Sequence, residues 1–223
     1  MPRLALAVAG LLCALLLVAC GGDKGGEATA TATATEEAAG GCEKVDPPAA
    51  KDEGSLAKPK ERLKAGKTYV AKVSTTCGDF EITLDSKRAP RTGGAFKYLA
   101  DKKFFDDLTF HRIVSGFVIQ GGDPKGDGTG GPGFSVVEAP PKDLAYSKGV
   151  VAMAKAQTDP PGASGSQFFV VTGEDAQLPP DYALLGKVTA GPDVVDKIGL
   201  LPTTQAEQPV DPVVIKSITV EER

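Results

Sequence analysis

The most constraining part of this sequence is residues 110–123, which read FHRIVSGFVIQGGD. One arginine, Arg112, and one glutamine, Gln120, stand among apolar and β-branched side chains, and the segment ends in a pair of glycines. Short apolar runs that are bounded by glycine turns indicate β-strands. Residues 165–170 form a similar block, in which Gln167 precedes two phenylalanines. We therefore expect buried strands that a few isolated polar side chains interrupt.

The folded part of the chain is predicted to begin with a hairpin. Residues 68–75 are rich in β-branched side chains, residues 77–79 form a turn, and residues 80–85 alternate between apolar and polar side chains. Further strands are predicted at residues 109–113, 117–121, 150–154, 168–172, 184–188 and 213–220. Two short helices are predicted over residues 90–100 and 192–198, each of which begins at a proline. Many short strands with two short helices favour a closed β-barrel with capped ends.

The N-terminus has the features of an export signal. Arg3 is the only charged residue before residues 4–19, which are all apolar or small. That run is shorter than the ~20 apolar residues that a membrane span needs, so residues 1–19 are predicted to be a signal peptide. The residues before Cys20 read LVA, an order that resembles the bacterial lipobox, in which the cysteine is acylated. The alternative is an ordinary cleaved signal that is followed by an unmodified cysteine.

A lipid on Cys20 would hold an exported protein at the outer face of the cytoplasmic membrane without a membrane span. Residues 20–66 combine an Ala-Thr repeat with glycines, a Pro-Pro pair and scattered charges, and they show no apolar periodicity. Such a segment buries too little apolar surface to offset chain entropy, so we interpret it as a lipidated, disordered tether. Residues 67–223 are then one folded domain.

Charge gives little indication of a partner. The chain has 25 basic and 29 acidic residues and no basic run that stands out, so nucleic-acid binding has little support. Beyond the signal and Cys20 two cysteines are left, Cys42 and Cys77, and an even pair in an exported protein favours a disulfide over two free thiols. With a single histidine, a zinc site is not expected, nor is any cofactor.

Residues 68–221 resemble the cyclophilin family of peptidyl-prolyl isomerases. The resemblance is carried, in the family's order, by residues 110–123 and 165–170 and by residues 153–156, which read MAKA where the family has MANA. It implies a mainly β fold, a closed eight-stranded antiparallel barrel that two short helices cap. It also implies a monomeric enzyme that binds proline-containing segments and isomerises X–Pro bonds of exported proteins, which assists their folding.

The resemblance also implies roles for single residues. Arg112 takes the catalytic position as the donor to the prolyl amide, and Gln120 and Phe117 belong to the same catalytic set. The residues that it places against the substrate are Val118, Gly128, Ala154, Lys155, Ala156, Gln167, Phe169, Leu178 and Tyr182. Two of these depart from the family's usual residue, since Lys155 replaces an asparagine and Tyr182 stands where many members carry histidine. The single histidine, His111, is expected to be structural.

A second hypothesis is a binding module, a cyclophilin fold that holds proline-containing segments as a chaperone or scaffold with little turnover. The intact set of arginine, glutamines and phenylalanines favours the enzyme. Lys155 and residues 178–184 depart from the family's usual residues, so the binding-module hypothesis stays open. A proline-peptide turnover assay separates the two hypotheses.

Overall fold

The first two strands form the predicted hairpin. In the computed structural model, which describes residues 41–52 and 54–223, β1 (Tyr69–Thr75) pairs antiparallel with β2 (Gly78–Leu84). Their alternate residues are buried because one face of the hairpin packs on the core. The other strands are β3 (Leu108–Thr109), β4 (Arg112–Val114), β5 (Val118–Gly121), β6 (Val136–Val137), β7 (Val150–Met153), β8 (Ala163–Ser164), β9 (Phe168–Val171), β10 (Leu184–Ala190) and β11 (Val214–Glu222).

Nine of these strands form one curled antiparallel sheet. Its order is β3-β11-β1-β2-β10-β7-β9-β5-β4, and β6 and β8 form a separate pair. The predicted mainly β antiparallel fold with two helices is thus confirmed. The strand count differs, since nine strands pair where eight were expected, and the ladder of pairings does not close.

The ninth strand arises because one predicted strand is divided into two, and these two strands lie at opposite ends of the sheet order. The predicted single strand over residues 109–113 is broken into β3 and β4 by Phe110 and His111. The chain changes partners there, because β3 pairs with β11 while β4 pairs with β5. The two end strands of the sheet are therefore consecutive in the chain and separated by only these two residues.

Two helices accompany the sheet, close to the predicted ranges. Helix α1 (Pro90–Asp101) and helix α2 (Pro192–Gly199) both begin at a proline, which suits the first turn because its missing N–H would have no partner there. In α1, a Cβ atom on Gly94 would collide with the carbonyl oxygen of Glu61. The glycine therefore permits close approach of the preceding chain. Among the described residues, no helix has the length and apolar character that a membrane crossing requires.

The alternation of side chains along the strands creates two apolar clusters. On β9, Phe168 packs in the main core while its neighbour Phe169 packs in a second cluster. On β5, Ile119 and Val118 divide in the same way. This follows from the two-residue period of a strand. The second cluster includes Tyr146 and is the apolar part of the site described below.

Residues 41–66, here called the N-terminal strap, lie against the sheet domain and belong to the same compact unit as residues 67–223. The strap contains no helix or strand among its described residues. Its Leu63 side chain is 5% exposed. Its backbone N–H groups donate to carbonyl groups of the domain at Glu43→Thr76 (2.7 Å), Lys51→Pro124 (2.8 Å), Gly54→Gly131 (2.9 Å), Leu56→Pro132 (3.0 Å) and Leu63→Pro90 (2.9 Å).

These contacts correct the second half of the predicted disordered tether over residues 20–66. Residues 41–66 are bound to the domain, because their backbone donors find carbonyl partners and a leucine finds a place in the core. The predicted signal over residues 1–19, Cys20 and the first part of the tether lie outside the described residues.

Cys42 and Cys77 are joined in a disulfide, with their Cα atoms 4.1 Å apart. The bond links the start of the strap to the turn between β1 and β2. The predicted pairing is therefore present in the structure.

Replacing Cys42 with serine is expected to lower the free energy of unfolding. The disulfide joins residues that are 35 positions apart, and closing a loop of that length stabilises a fold by roughly 3–4 kcal/mol in the chain-entropy model. This figure is an upper value because the strap can detach before the domain unfolds. Denaturant titration of both proteins measures the difference, and mass spectrometry of non-reduced wild type shows the linked peptides. Two alkylatable thiols in the native wild type would contradict the pairing.

Candidate active site

Arg112 lies on β4 directly opposite Gln120 on β5. Its Nε donates to Oε2 of Glu207 at 2.6 Å, and its Nη1 donates to Oε1 of Gln120 at 3.4 Å. Glu207 lies in the loop before β11 and has a left-handed backbone, φ 61°. Its carbonyl oxygen accepts the N–H of Ile113, so the same loop binds both the backbone and the side chain of β4. The guanidinium is thus held from two sides.

The hydrogen bonds continue from Gln120 across the sheet to a glycine-rich loop, residues 126–131, which read GDGTGG. Nε2 of Gln120 donates to Oε1 of Gln167 at 3.0 Å. Nε2 of Gln167 in turn donates to the carbonyl oxygens of Gly128 and Gly130 at 3.0 and 2.9 Å. Each amide accepts on one side and donates on the other, which defines its orientation. We call this series, from Glu207 through Arg112, Gln120 and Gln167 to the loop, the polar relay.

A pocket of about 130 Å³ adjoins the guanidinium, and we call it the apolar pocket because six of its nine lining residues have apolar or aromatic side chains. The rings of Phe169 and Tyr182 meet edge to face with their centroids 5.5 Å apart. The Tyr146 hydroxyl donates to the carbonyl oxygen of Tyr182 and accepts its N–H. Burial raises the pKa of Tyr146 to about 12, so this hydroxyl stays protonated. The lining residues are Arg112, Phe117, Val118, Gln120, Ala154, Lys155, Phe169, Leu178 and Tyr182.

A larger groove of about 430 Å³ continues from the pocket. Both cavities are lined by Gln120, Ala154 and Lys155, so they adjoin along these residues. The groove also contains Gly128, Ala156 and Gln167. Every residue predicted to contact the substrate or to act in catalysis therefore lines one of two adjoining cavities.

The glycine-rich loop and Pro132 form one rim of the groove, which we call the glycine-rich rim, and it is held largely by residues outside the predicted site. The buried carboxylate of Asp123 accepts the backbone N–H groups of Lys125, Asp127 and Gly128. The strap donates to the carbonyl oxygens of Gly131 and Pro132. The rim is therefore fixed by Asp123, by Gln167 and by the strap, although it has no helix or strand.

Lys155 is present at the site, but its ammonium faces inward. The side chain is 5% exposed, and Nζ lies 2.8 Å from Oδ2 of Asp181. Nζ also donates to the carbonyl oxygens of Ala156 and Asp159 at 3.3 and 3.2 Å. It lies 5.7 Å from the centroid of the Tyr182 ring. A substrate would accordingly meet the backbone and the aliphatic stem of Lys155.

The side chain of His111 does not line either cavity of the site, unlike that of its neighbour Arg112. It is 7% exposed and borders a separate cavity that Arg112 does not line. Burial lowers the pKa of His111 below its ordinary value, and the nearby Asp123 carboxylate opposes that shift. Within the described part of the chain, no group of three or more His, Cys, Asp or Glu side chains could hold a metal ion.

Two functional candidates, Glu207 and Asp123, were not predicted, for different reasons. Glu207 is 95 positions from Arg112, and no motif connects them. Asp123 was noticed only as the end of the block over residues 110–123. Its signal was available, since an aspartate before a glycine-rich turn commonly accepts backbone N–H groups.

Comparisons with known proteins agree with this geometry. The family model "cyclophilin type peptidyl-prolyl cis-trans isomerase/CLD" matches residues 70–220. Peptidyl-prolyl cis-trans isomerase B of Streptomyces anulatus is 38% identical over 172 residues, which cover 69% of this chain and 97% of the relative. The probable peptidyl-prolyl cis-trans isomerase A of Mycobacterium leprae is 37% identical over 169 residues, with 67% and 91% covered.

The fold has solved counterparts as well. The crystal structure of a cyclophilin type peptidyl-prolyl cis-trans isomerase from Cryptosporidium parvum superimposes with a TM-score of 0.65 at 28% identity, covering 70% of this chain and 99% of that one. A second structure of that protein, in the presence of the dipeptide Ala-Pro, gives a TM-score of 0.64 at 29% identity and covers 69% and 99%. With its fold, its site and its relatives in agreement, the chain belongs to the cyclophilin-type peptidyl-prolyl cis-trans isomerases.

Proposed function

We propose that this isomerase acts on X–Pro bonds of other exported polypeptides, from a lipid anchor at the outer face of the cytoplasmic membrane, and so assists their folding. The observation that carries the catalytic part is the polar relay, which presents a fixed guanidinium beside an apolar pocket. The export and anchoring part rests on the sequence before residue 41, with its apolar signal and Cys20.

The reaction has a defined barrier. Rotation about a peptide bond requires about 18–20 kcal/mol because amide resonance is lost in the twisted state. Both isomers of an X–Pro bond are populated, and their uncatalysed exchange takes on the order of tens to hundreds of seconds. A catalyst therefore needs no covalent step, provided that it binds the twisted amide more tightly than the planar one.

Arg112 is the group that can make this distinction. As the amide twists, the prolyl nitrogen loses conjugation and becomes a hydrogen-bond acceptor that the planar amide does not offer. Glu207 binds Nε of the guanidinium and Gln120 binds Nη1 from the other side, which sets the direction of the remaining N–H groups. A donor that is oriented before the reaction needs no reorganisation at the twisted state. The guanidinium also stays charged at any physiological pH.

Each of the two cavities binds a different part of the substrate. The apolar pocket takes the proline ring against Phe117, Val118 and Phe169. The groove takes the residues before the proline in an extended conformation, along the backbone of residues 154–156 and the glycine-rich rim. The Ala-Pro dipeptide in the Cryptosporidium parvum structure supports a ligand of this kind.

The anchor gives the enzyme its location. Two or more acyl chains on Cys20 would hold it stably at the membrane surface, whereas one chain gives only marginal binding. Because the strap over residues 41–66 binds the domain, only residues 21–40 separate Cys20 from the first bound segment. The domain would then work close to the membrane, where exported chains emerge.

Replacing Arg112 with alanine is expected to abolish most of the turnover while the protein stays folded. Loss of one oriented donor commonly lowers a rate by about 10²–10³-fold. A protease-coupled assay with a proline tetrapeptide measures kcat/KM, and circular dichroism checks the fold. An unchanged kcat/KM would exclude Arg112 as the donor. A wild-type protein that binds the peptide with negligible turnover would favour the binding-module hypothesis.

Replacing Glu207 with alanine is expected to lower kcat by roughly two- to five-fold, the range of a half-exposed ion pair. The Glu207 side chain is 46% exposed, so solvent screens its interaction with Arg112. A matched control is Glu221→Ala, which removes a carboxylate of 47% exposure that pairs with Lys72 on the hairpin. Glu221→Ala is expected to leave kcat unchanged, and Glu207→Ala is expected to have no further effect in the Arg112→Ala protein. Equal kcat values for Glu207→Ala and Glu221→Ala would show that Glu207 has no part in placing the guanidinium.

Replacing Cys20 with serine is expected to release the protein from the membrane or to leave the signal uncleaved. The thiol is the acyl acceptor in the proposed anchor, and serine does not replace it. Fractionation of cells and intact-mass measurement of the membrane form give the result. A serine variant that is cleaved and remains in the membrane fraction would contradict the lipid anchor.

A further inference from the structure

The ammonium of Lys155 has no donor left for a substrate. Its three N–H groups have three acceptors within the protein, namely the Asp181 carboxylate at 2.8 Å and the carbonyl oxygens of Ala156 and Asp159 at 3.3 and 3.2 Å. The side chain is almost fully buried, whereas Asp181 is partly exposed. The contact therefore connects the end of β7 to the segment that carries Asp181.

That segment forms a wall of the apolar pocket. Leu178 and Tyr182, which flank Asp181, line the pocket, and residues 178–183 form no helix or strand. Pro179 and Pro180 have no backbone N–H to donate. The wall consequently depends on contacts from outside the segment. Tyr146 binds the backbone of Tyr182, and Lys155 binds the side chain of the residue before it.

We infer that the ion pair between Lys155 and Asp181 positions the pocket wall, so that Lys155 is a positioning residue for proline binding and makes no polar contact with the substrate through its ammonium. This inference rests on the proposed use of the pocket for the proline ring. It also explains how a lysine can stand at this position without presenting a free charge to a peptide.

The two partners respond differently to removal because they differ in burial. Without Asp181, a buried ammonium loses its counter-charge, which is strongly unfavourable. Without Lys155, the partly exposed carboxylate can turn toward water. The segment then keeps its backbone hydrogen bonds with Gly162 and Tyr146 but loses its side-chain contact with the end of β7. The Tyr182 ring would then be held less firmly in its edge-to-face contact with Phe169. The guanidinium of Arg112 is held by the polar relay and would stay in place.

The experiment is a comparison of KM and kcat in the mature protein. Lys155→Met keeps most of the aliphatic stem and removes the charge. It is expected to raise KM for a proline tetrapeptide about tenfold with little change in kcat, because a displaced binding wall weakens the binding of the planar and the twisted amide alike. The Ala-Pro dipeptide, titrated by NMR, is expected to lose affinity by a similar factor. The matched control is Lys148→Met, which breaks an exposed pair with Asp196 at 2.9 Å and is expected to change neither value.

A second variant keeps the test decisive if Lys155→Met does not fold. Asp181→Asn preserves the shape of the side chain and is expected to raise KM in the same way. The double variant Lys155→Met/Asp181→Leu removes both charges and is expected to recover much of the lost affinity.

Three outcomes would overturn the inference. The first is a wild-type KM and dipeptide affinity in Lys155→Met or, should that variant not fold, in Asp181→Asn. The second is a loss of kcat at unchanged KM, which would place the ammonium at the reacting amide. The third is a double variant no better than the worse single variant. If the wild-type protein itself has no turnover, the proposed function fails, while the dipeptide titration still tests the ion pair.

Discussion

The orientation of one guanidinium determines what this site can do. Arg112 extends from a three-residue strand, and its direction is set by Glu207 on one side and by Gln120 on the other. The relay then continues through Gln167 to the glycine-rich rim, so the donor and the peptide groove share one hydrogen-bonded series. The same series therefore places the donor beside the groove.

The sheet makes this relay possible. Arg112, Gln120 and Phe169 lie in register across β4, β5 and β9. On β9 the alternation directs Phe168 into the main core and Phe169 into the pocket cluster. One face of these strands therefore packs on the main core, and the opposite face bears the side chains of the site. This division follows from the two-residue period of a strand.

Much of this arrangement could be predicted from sequence, because it is local. Alternation predicted the hairpin, and the family resemblance, carried by blocks such as those around Arg112 and Gln167, supplied the predicted site residues that line the two cavities. What could not be predicted depends on distant pairs, such as Glu207 with Arg112, or on charge partners, such as Asp181 with Lys155. The break between β3 and β4 was also not predicted, because the strand propensities of residues 109–113 do not reveal where a strand changes its pairing partner.

The strap shows that amino-acid composition alone does not decide whether a segment is disordered. Residues 41–66 are polar and rich in proline and lysine, yet their N–H groups donate to the carbonyl oxygens of the domain and Leu63 enters the core. A few well-placed contacts and one disulfide suffice to bind such a segment. Because two of these contacts reach Gly131 and Pro132, the strap also supports the rim of the groove.

The central claim is that the oriented fork of Arg112, and not its charge alone, stabilises the twisted amide. Arg112→Lys retains the charge but loses the planar fork that can bind Glu207, Gln120 and the amide together. The decisive measurement is the cis–trans exchange rate of a proline peptide on the enzyme, determined by NMR at equilibrium alongside the peptide's dissociation constant. The account predicts that exchange slows by about 10²-fold or more while the dissociation constant changes little. Exchange at the wild-type rate in Arg112→Lys would contradict it.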